Sequence, residues 1–593
     1  MSMNQKVLNT LEFDKQIHSL EEFATTDEGR KLCAKVRPLQ KISEIRKYLN
    51  QTNDAFNRLL KYGEISFLGA TDVRPFQKRL EIEDSLTAKE LLSFSALLSV
   101  AESAKKCGSS DERGNTIDDS LTPYFDHIDP LTGVYREITR CILSETDIAD
   151  DASTELHHIR HTITKTNEHI RSELNSMLNS PSVRDCLQET VITSRLGRFC
   201  LPVRTESKSR IPGMVHDQSA SGATLFIEPM AVVQMNNELR EAQLKEKEEI
   251  AAILKNLSAM VGEQMESIVN NFSILTRLDF IFAKAKLAKE QNASMPTIKE
   301  KGSIVLRKAI HPALDKKTAV PLDLTLGEDY RSLIVTGPNT GGKTVAIKTV
   351  GLLSLMALSG LFIPAADRCE IPLFSEIYAD IGDEQSIEQS LSTFSSHMTN
   401  IVHILKGLSR KKEDDNTLVL FDELCSGTDP TEGAALAISI LEEVLHVGAL
   451  CMATTHYAEL KLYALSSDDA QNASCEFDVE TLSPTYRLLI GVPGKSNAFA
   501  ISKKLGLPDS VLDDARMRLN EEDKSFDDLL VDLENQRLSM ERDREEIRRE
   551  KEEISALRQS YSDKNKRLEE RREKILREAN EKASNILLDA KNN

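Results

Sequence analysis

Two short stretches carry residue types whose spacing implies phosphate chemistry. Gly337, Pro338, Asn339, Thr340, Gly341, Gly342, Lys343 and Thr344 read GPNTGGKT and satisfy the G-x-x-x-x-G-K-[ST] pattern directly after the apolar run Ser332 to Thr336. Glycines at these places let the backbone bend so that successive N–H groups point at phosphate oxygens. Lys343 then reaches the β- and γ-phosphates, and the Thr344 hydroxyl is a candidate Mg²⁺ ligand. The second stretch, Leu418 to Glu423, reads LVLFDE. A buried strand ending in two carboxylates places Asp422 beside the nucleotide to hold Mg²⁺, and Glu423 where it orients or deprotonates the attacking water. A chance glycine turn and a pair of ordinary surface acids are the plain alternatives. The two motifs in one chain, each preceded by a strand, argue against both.

Further residues fall into line with them. Ser426 to Asp429 (SGTD) follows the acidic pair, and Thr454, Thr455 and His456 end another apolar strand. The order resembles that of ABC-type ATPases: P-loop, signature helix, acidic strand, D-loop, switch histidine. His456 is then expected near the γ-phosphate. Where transporters carry LSGGQ, this chain has Ser390 to Phe394, SLSTF, opening a helix. In ABC-type dimers that helix N-terminus faces the partner's γ-phosphate, where free N–H groups and the helix dipole favour an anion. Ser392 is therefore a candidate nucleotide contact in trans, and the active unit is expected to be a homodimer with two composite sites.

The remaining elements must position this chemistry. At 593 residues the chain exceeds what one core fills, so several units are expected. Residues 1–125 read as a helical core, 126–188 as an outgoing lever helix and 189–230 as a β-rich clamp. Residues 231–300 bring the returning lever helix back to the core, 301–490 hold the ATPase, and 491–520 form a helix-turn-helix dimerisation region. The last segment, 521–593, is a charged coiled-coil segment with apolar residues at Phe526, Leu533, Met540, Ile547, Ile554, Tyr561, Leu568 and Ile575. Its companion seam is largely polar, so a weak coiled coil, docking on another surface and a solvated helix all stay open. The fold class is α/β for the ATPase, joined to an all-α core with levers and a small antiparallel β clamp.

The net charge of −19 excludes general electrostatic attraction to nucleic acid, so any such contact must be local. Arg195, Arg198, Arg204, Lys208 and Arg210, with only Glu206 among them, form the clearest basic island. They are candidate phosphate contacts or a solvated hairpin face. His157 and His161 share a helix face, but no carboxylate or cysteine completes a metal site there. Nine scattered cysteines suggest reduced core thiols. With no signal peptide and no spanning apolar run, the protein is expected to be cytoplasmic and to have no membrane partner.

On GPNTGGKT, FDELCSGTDPTEGAALA, ATTHY and HDQSASGATLFIEP the chain resembles the MutS family, and its bacterial MutS-II branch in particular. The resemblance implies an ATP- and Mg²⁺-dependent homodimeric clamp. Its substrate is either collided or stalled ribosomes, through rRNA, or branched DNA in recombination control. Mismatch recognition is not expected, because the Phe-x-Glu matches of this chain lie in the β unit and the ATPase. The resemblance also implies a C-terminal KOW-like barrel and Smr nuclease, but no Leu-Asp-Leu-His motif occurs before Asn593. A nuclease regulated by ATP, with its nuclease domain absent from this chain, is the alternative reading.

Overall fold

The computed structural model describes residues 4–109, 117–337, 341–382, 393–410, 415–478, 483–494 and 506–517, with a few further positions between 499 and 576. It is a mixed α/β chain that divides into two compact units, Met1–Lys317 with Val350–Ser375 and Thr318–Thr349 with Glu376–Asn593.

The first unit is helical around one element. After three short helices that already bury Phe13, Leu20 and Cys33, helices α1 (Ile42–Tyr62) and α2 (Ala88–Ser109) add to its core, and α3 (Thr154–Asn179) follows. The Ser153 hydroxyl caps α3 by accepting the Leu156 N–H, satisfying one of the donors that a helix start leaves open. Four antiparallel strands follow: β1 (Thr193–Arg195), β2 (Arg198–Arg204), β3 (Gly213–Gln218) and β4 (Thr224–Pro229), in the order β1-β2-β4-β3. The chain returns through α4 (Met230–Glu263) and ends in α5 (Met265–Gln291). From Phe280 to Ala285 every side chain of α5 is buried, the signature of a helix enclosed on all sides.

Helices α3 and α4 run antiparallel, as two contacts establish. The Ser153 hydroxyl donates to Glu249 Oε1 at 2.7 Å, and Arg160 Nε donates to Glu246 Oε1 at 2.8 Å. At their far ends Ile170, Leu174 and Leu178 of α3 and Val232 and Leu239 of α4 close over Leu201, Val203, Leu225 and Ile227 of the sheet. The β unit therefore has its own apolar core, shared with the helix pair that carries it.

The second unit is built on β5 (Ser332–Thr336), the start of α6 (Lys343–Leu358, whose residues from Val350 belong to the first unit), β6 (Glu376–Asp380), α7 (Thr393–Leu408), β7 (Thr417–Phe421), α8 (Pro430–His446), β8 (Leu450–Thr454), α9 (Ala458–Ser466), β9 (Ala470–Asp478) and β10 (Ser483–Ile490). The strands form one sheet in the order β6-β7-β8-β5-β9-β10. All neighbours are parallel except β9 and β10. Every residue of β5, β7 and β8 is buried, which is why SLIVT, TLVLF and LCMAT read as continuous apolar runs rather than alternating ones. On one face Ile334, Val419, Phe421, Cys451 and Ala453 meet Ile401 and Ile404 of α7, Ala437 and Leu441 of α8, and Leu460 of α9. The register pairs Asp380 with Phe421, Phe421 with Ala453, and Val335 with Thr454. The carboxyl ends of four adjacent strands are thus level, and in open parallel sheets that edge is where ligands bind.

Past this sheet, Gly506 takes a positive φ and a further helix, Asp509–Met517, follows. Of the seven-residue repeat, Phe526, Leu533 and Met540 lie outside the described residues. Ile547, Ile554, Tyr561, Leu568 and Ile575 are each more than half exposed.

Candidate active site

The turn after β5 starts at Gly337 with φ +124° and ends at Gly342 with φ +93°, backbone that a side chain would strain. Pro338, Asn339 and Thr340 lie outside the described residues. So do Ser390, Leu391 and Ser392, hence the proposed trans contact; of the SLSTF stretch, Thr393 opens α7 and Phe394 lies within it.

Five of the candidate residues converge. Thr344 Oγ1 donates to Asp422 Oδ2 at 2.7 Å, so the hydroxyl and the carboxylate share one small volume at the ends of β5 and β7. Lys343 is buried, and its Nζ donates to the Gly337 carbonyl at 2.8 Å and lies 2.9 Å from His456 Nε2. Burial lowers the Lys343 ammonium below the ordinary lysine range, with Glu423 opposing that shift. His456 Nε2 is 3.6 Å from Glu423 Oε1. Burial first, and then the neighbouring Lys343 charge, hold His456 below the usual histidine value.

The acidic pair is held by Thr454, which the sequence marks only as part of a strand end. Thr454 Oγ1, at the end of β8, donates to Asp422 Oδ1 at 2.6 Å and accepts the Glu423 N–H at 2.7 Å. One hydroxyl therefore fixes the Asp422 side chain and the Glu423 backbone together. Glu423 and Cys425 adopt φ of +50° and +59°, left-handed backbone that non-glycine residues enter at a cost. The turn is braced where it is strained: Leu424 N–H donates to the Thr454 carbonyl and the Tyr457 hydroxyl donates to the Cys425 carbonyl at 2.7 Å. A threonine closing an apolar strand looks in sequence like any other β-branched residue. Only the register of β7 against β8 reveals its second role.

Two other neighbours were equally silent. Tyr486, on β10, is 57% exposed with φ +59°, and a Cβ placed on Gly342 would come within 3.2 Å of its ring. The Gly494 N–H donates to Thr336 Oγ1 at 2.6 Å, and Lys461 Nζ donates to the Gly494 carbonyl at 2.7 Å. A Cβ at Gly494 would stand 3.0 Å from the Gly337 nitrogen, so only glycine lets this segment lie against the turn.

The basic island is split by the β unit. Arg198 points inward, its Nη1 donating to both carboxylate oxygens of Glu228, which is fully buried, while Nη2 donates to Asn237 Oδ1 at 2.5 Å. His216 Nε2 meets Oε2 of the same carboxylate at 2.5 Å. Arg195 lies 3.9 Å over the Phe226 ring and 3.2 Å from Asp217. Arg204, Lys208 and Arg210 are exposed.

Comparison with known proteins then decides the family. The pattern described as MutS domain V matches residues 333–522, which begins at β5 and takes in the whole converged site. Endonuclease MutS2 of Agathobacter rectalis is 54% identical over 589 residues, covering 99% of this chain and 74% of that protein. The chain belongs to the MutS2 branch of the MutS family. Endonuclease MutS2 of Lachnospira eligens is 52% identical over 589 residues, and that of Clostridium acetobutylicum 45% over 584 residues, covering 73% of the relative in each case. Membership in MutS2 therefore rests on the helical first unit and the β unit as well as on the parallel sheet.

Proposed function

We propose that this chain hydrolyses ATP at a P-loop site of the ABC and MutS type, and that its working form is a homodimer acting on a nucleic-acid assembly. The observation that carries the reading is the convergence of Lys343, Thr344, Asp422, Glu423 and His456 at the level carboxyl ends of β5, β7 and β8. Lys343 binds the β- and γ-phosphates. Glu423 takes the proton of the attacking water, and His456 donates toward the γ-phosphate. Tyr486 offers its ring to the nucleobase beside Gly342.

Thr344 Oγ1 and the Asp422 carboxylate are two hard oxygen donors 2.7 Å apart, which suits Mg²⁺, an ion that fills most of its shell with water and phosphate oxygens. When bound, Mg²⁺ neutralises charge building on the β- and γ-oxygens. Among the described residues no helix is long and apolar enough to cross a membrane.

For the assembly itself, Arg204, Lys208 and Arg210 are the phosphate contacts, because Arg198 is committed to Glu228 and Arg195 to Phe226 and Asp217. Closure of the dimer reaches them through the antiparallel α3 and α4. Recognition by backbone phosphates suits shape rather than sequence, and so suits both a ribosome and branched DNA. The name endonuclease carried by the relatives favours a second reading, ATP-regulated cutting. An assay of the 593-residue chain on branched DNA, with and without ATP, tests it. The first reading is tested by ATP turnover of the Lys343→Ala and Glu423→Gln variants, and by whether ribosomes or DNA copurify with Glu423→Gln.

A further inference from the structure

Helix α7, which follows the stretch compared above with the ABC signature, is tied to the acidic strand through a cluster with no role in the reading so far. Asp380 ends β6, and its side chain is 8% exposed. Its Oδ2 lies 2.9 Å from His397 Nδ1, and its Oδ1 accepts from Asn400 Nδ2, also at 2.9 Å. Asn400 Nδ2 also donates to the Ala379 carbonyl at 3.2 Å. His397 and Asn400, three residues apart, share one face of the first turns of α7. The backbone of Asp380 is engaged as well. Its carbonyl accepts the Asp422 N–H at 2.8 Å. A single buried aspartate thus holds the start of α7 with its side chain and the metal-side carboxylate residue with its main chain.

We propose that Asp380, His397 and Asn400 are positioning residues that lock the N-terminal turns of α7 to the strand end carrying Asp422, so that each subunit presents this helix correctly to the nucleotide bound by its partner. The inference rests on the composite-site reading above and names what keeps that site in register. Its chemistry is that of an anchored helix end. The N-terminal dipole of α7 stabilises an anion only while it is aimed at it, and a displacement of about 1 Å is enough to lose about 100-fold in rate. Apolar packing through Ile401 and Ile404 holds the middle of α7 whatever happens at its start, so loss of the polar tie should misplace the helix end without unfolding the unit.

The geometry also distinguishes substitutions. Asp380 is met by the Nδ1 nitrogen of His397, and an asparagine amide nitrogen occupies nearly the place of Nδ1, whereas a glutamine amide reaches toward that of Nε2. His397→Asn should keep most of wild-type turnover, and His397→Gln and His397→Ala should lose at least about 10-fold in kcat. Binding of a fluorescent ATP analogue to the subunit's own P-loop should stay within about twofold. Melting temperature and circular dichroism of the Asn and Gln variants, which differ by one methylene, separate this from misfolding.

The decisive test is mixing. A Lys343→Ala subunit lacks its own nucleotide but retains its α7, and a His397→Ala subunit is the converse. If half of the dimers in an equimolar mixture are mixed and each has one intact site of two, about a quarter of wild-type turnover should return. Mixing Lys343→Ala with Glu423→Gln should restore nothing, because both defects lie in the nucleotide-holding subunit. Wild-type turnover by His397→Gln, or no recovery in the first mixture, overturns the positioning role while leaving the ATPase reading intact. A wild-type chain that hydrolyses no ATP, or does so as a monomer, overturns the composite site itself and this inference with it.

Discussion

Thr454 Oγ1 donates to Asp422 Oδ1 at 2.6 Å and, through its remaining acceptor capacity, takes the N–H of the adjacent Glu423 at 2.7 Å. One neutral hydroxyl on the neighbouring strand fixes the Asp422 side chain and the Glu423 backbone together. The arrangement makes the distance between β7 and β8 part of the chemistry, because any shift of one strand moves both groups.

Replacing Thr454 with valine keeps the shape and removes both bonds. The Glu423 N–H is then left unsatisfied, at a cost of about 1–3 kcal/mol, and kcat for ATP should fall about 10- to 100-fold with little change in nucleotide affinity. Thr454→Ser, which retains the hydroxyl, should recover most of it. Steady-state turnover paired with equilibrium nucleotide binding checks both; equal loss in the serine and valine variants would show that the methyl group, not the hydroxyl, matters.

Tyr486 makes a different prediction because it stands beside the turn rather than in the reacting centre. Tyr486→Ala should raise KM for ATP about 10-fold and leave kcat within about twofold, and Tyr486→Phe should be near wild type, since the face of the ring carries the interaction. Measuring KM for ATP against a triphosphate lacking the base separates this from a structural effect: the alanine change should not alter the latter.

In the β unit, charges that look alike in sequence should behave oppositely. Removing Arg198 leaves the buried Glu228 carboxylate without its guanidinium partner, at a cost of about 3–5 kcal/mol. Arg198→Ala should therefore unfold or loosen this sheet, read by proteolysis between β1 and β4. Changing Arg204, Lys208 and Arg210 together to Glu should leave the fold unchanged and weaken nucleic-acid binding, with the slope of log K against log salt falling by about 3.

Lys284 predicts a pH dependence of stability in the first unit. It is fully buried against the Tyr48 and Phe280 rings, each 5.1 Å from Nζ, and burial pushes its pKa down to about 7. The folded value lies below the unfolded one, so below about pH 7 both states carry the proton and the full cost of a buried charge is present. Above that pH the folded chain releases the proton before the unfolded chain does. Stability should then rise toward the ordinary lysine range by up to about 1.4 kcal/mol per pH unit. Lys284→Met should be more stable at pH 7 and should lack that rise, measured by urea unfolding at pH 7 and pH 9.

Motifs that act through the backbone were legible in the sequence. GPNTGGKT needs glycine where φ is positive, and the LVLF before the acidic pair must be apolar because every residue of β7 is buried. Hydrophobic periodicity, which depends only on local spacing, marked helix on each side of four short strands but not the bounds: a helix Thr132–Cys141 and a small hairpin precede α3, and the return divides at Gln264 into α4 and α5. What stayed hidden depends on register and on distant pairing. Thr454 meets Asp422 across a strand pair, Asp380 meets His397 across 17 positions of sequence, and Arg198 finds Glu228 30 positions on. Counting basic residues along Arg195 to Arg210 treats neighbours in sequence as neighbours on a surface. In a hairpin, alternate residues face opposite sides, and two of the five arginines and lysines are drawn into local pairs.

The central claim is a nucleotide site completed by a second subunit, and the Glu423→Gln variant tests it most directly. Its amide can neither take the proton of the attacking water nor repel the γ-phosphate, and Lys343 and Thr344 remain to bind the nucleotide. Sedimentation of this variant with ATP and Mg²⁺ should show a stable dimer that wild type forms only transiently and Lys343→Ala does not form, with turnover reduced at least about 100-fold. A Glu423→Gln chain that hydrolyses ATP at the wild-type rate, or whose mass is the same with and without ATP, would contradict the account.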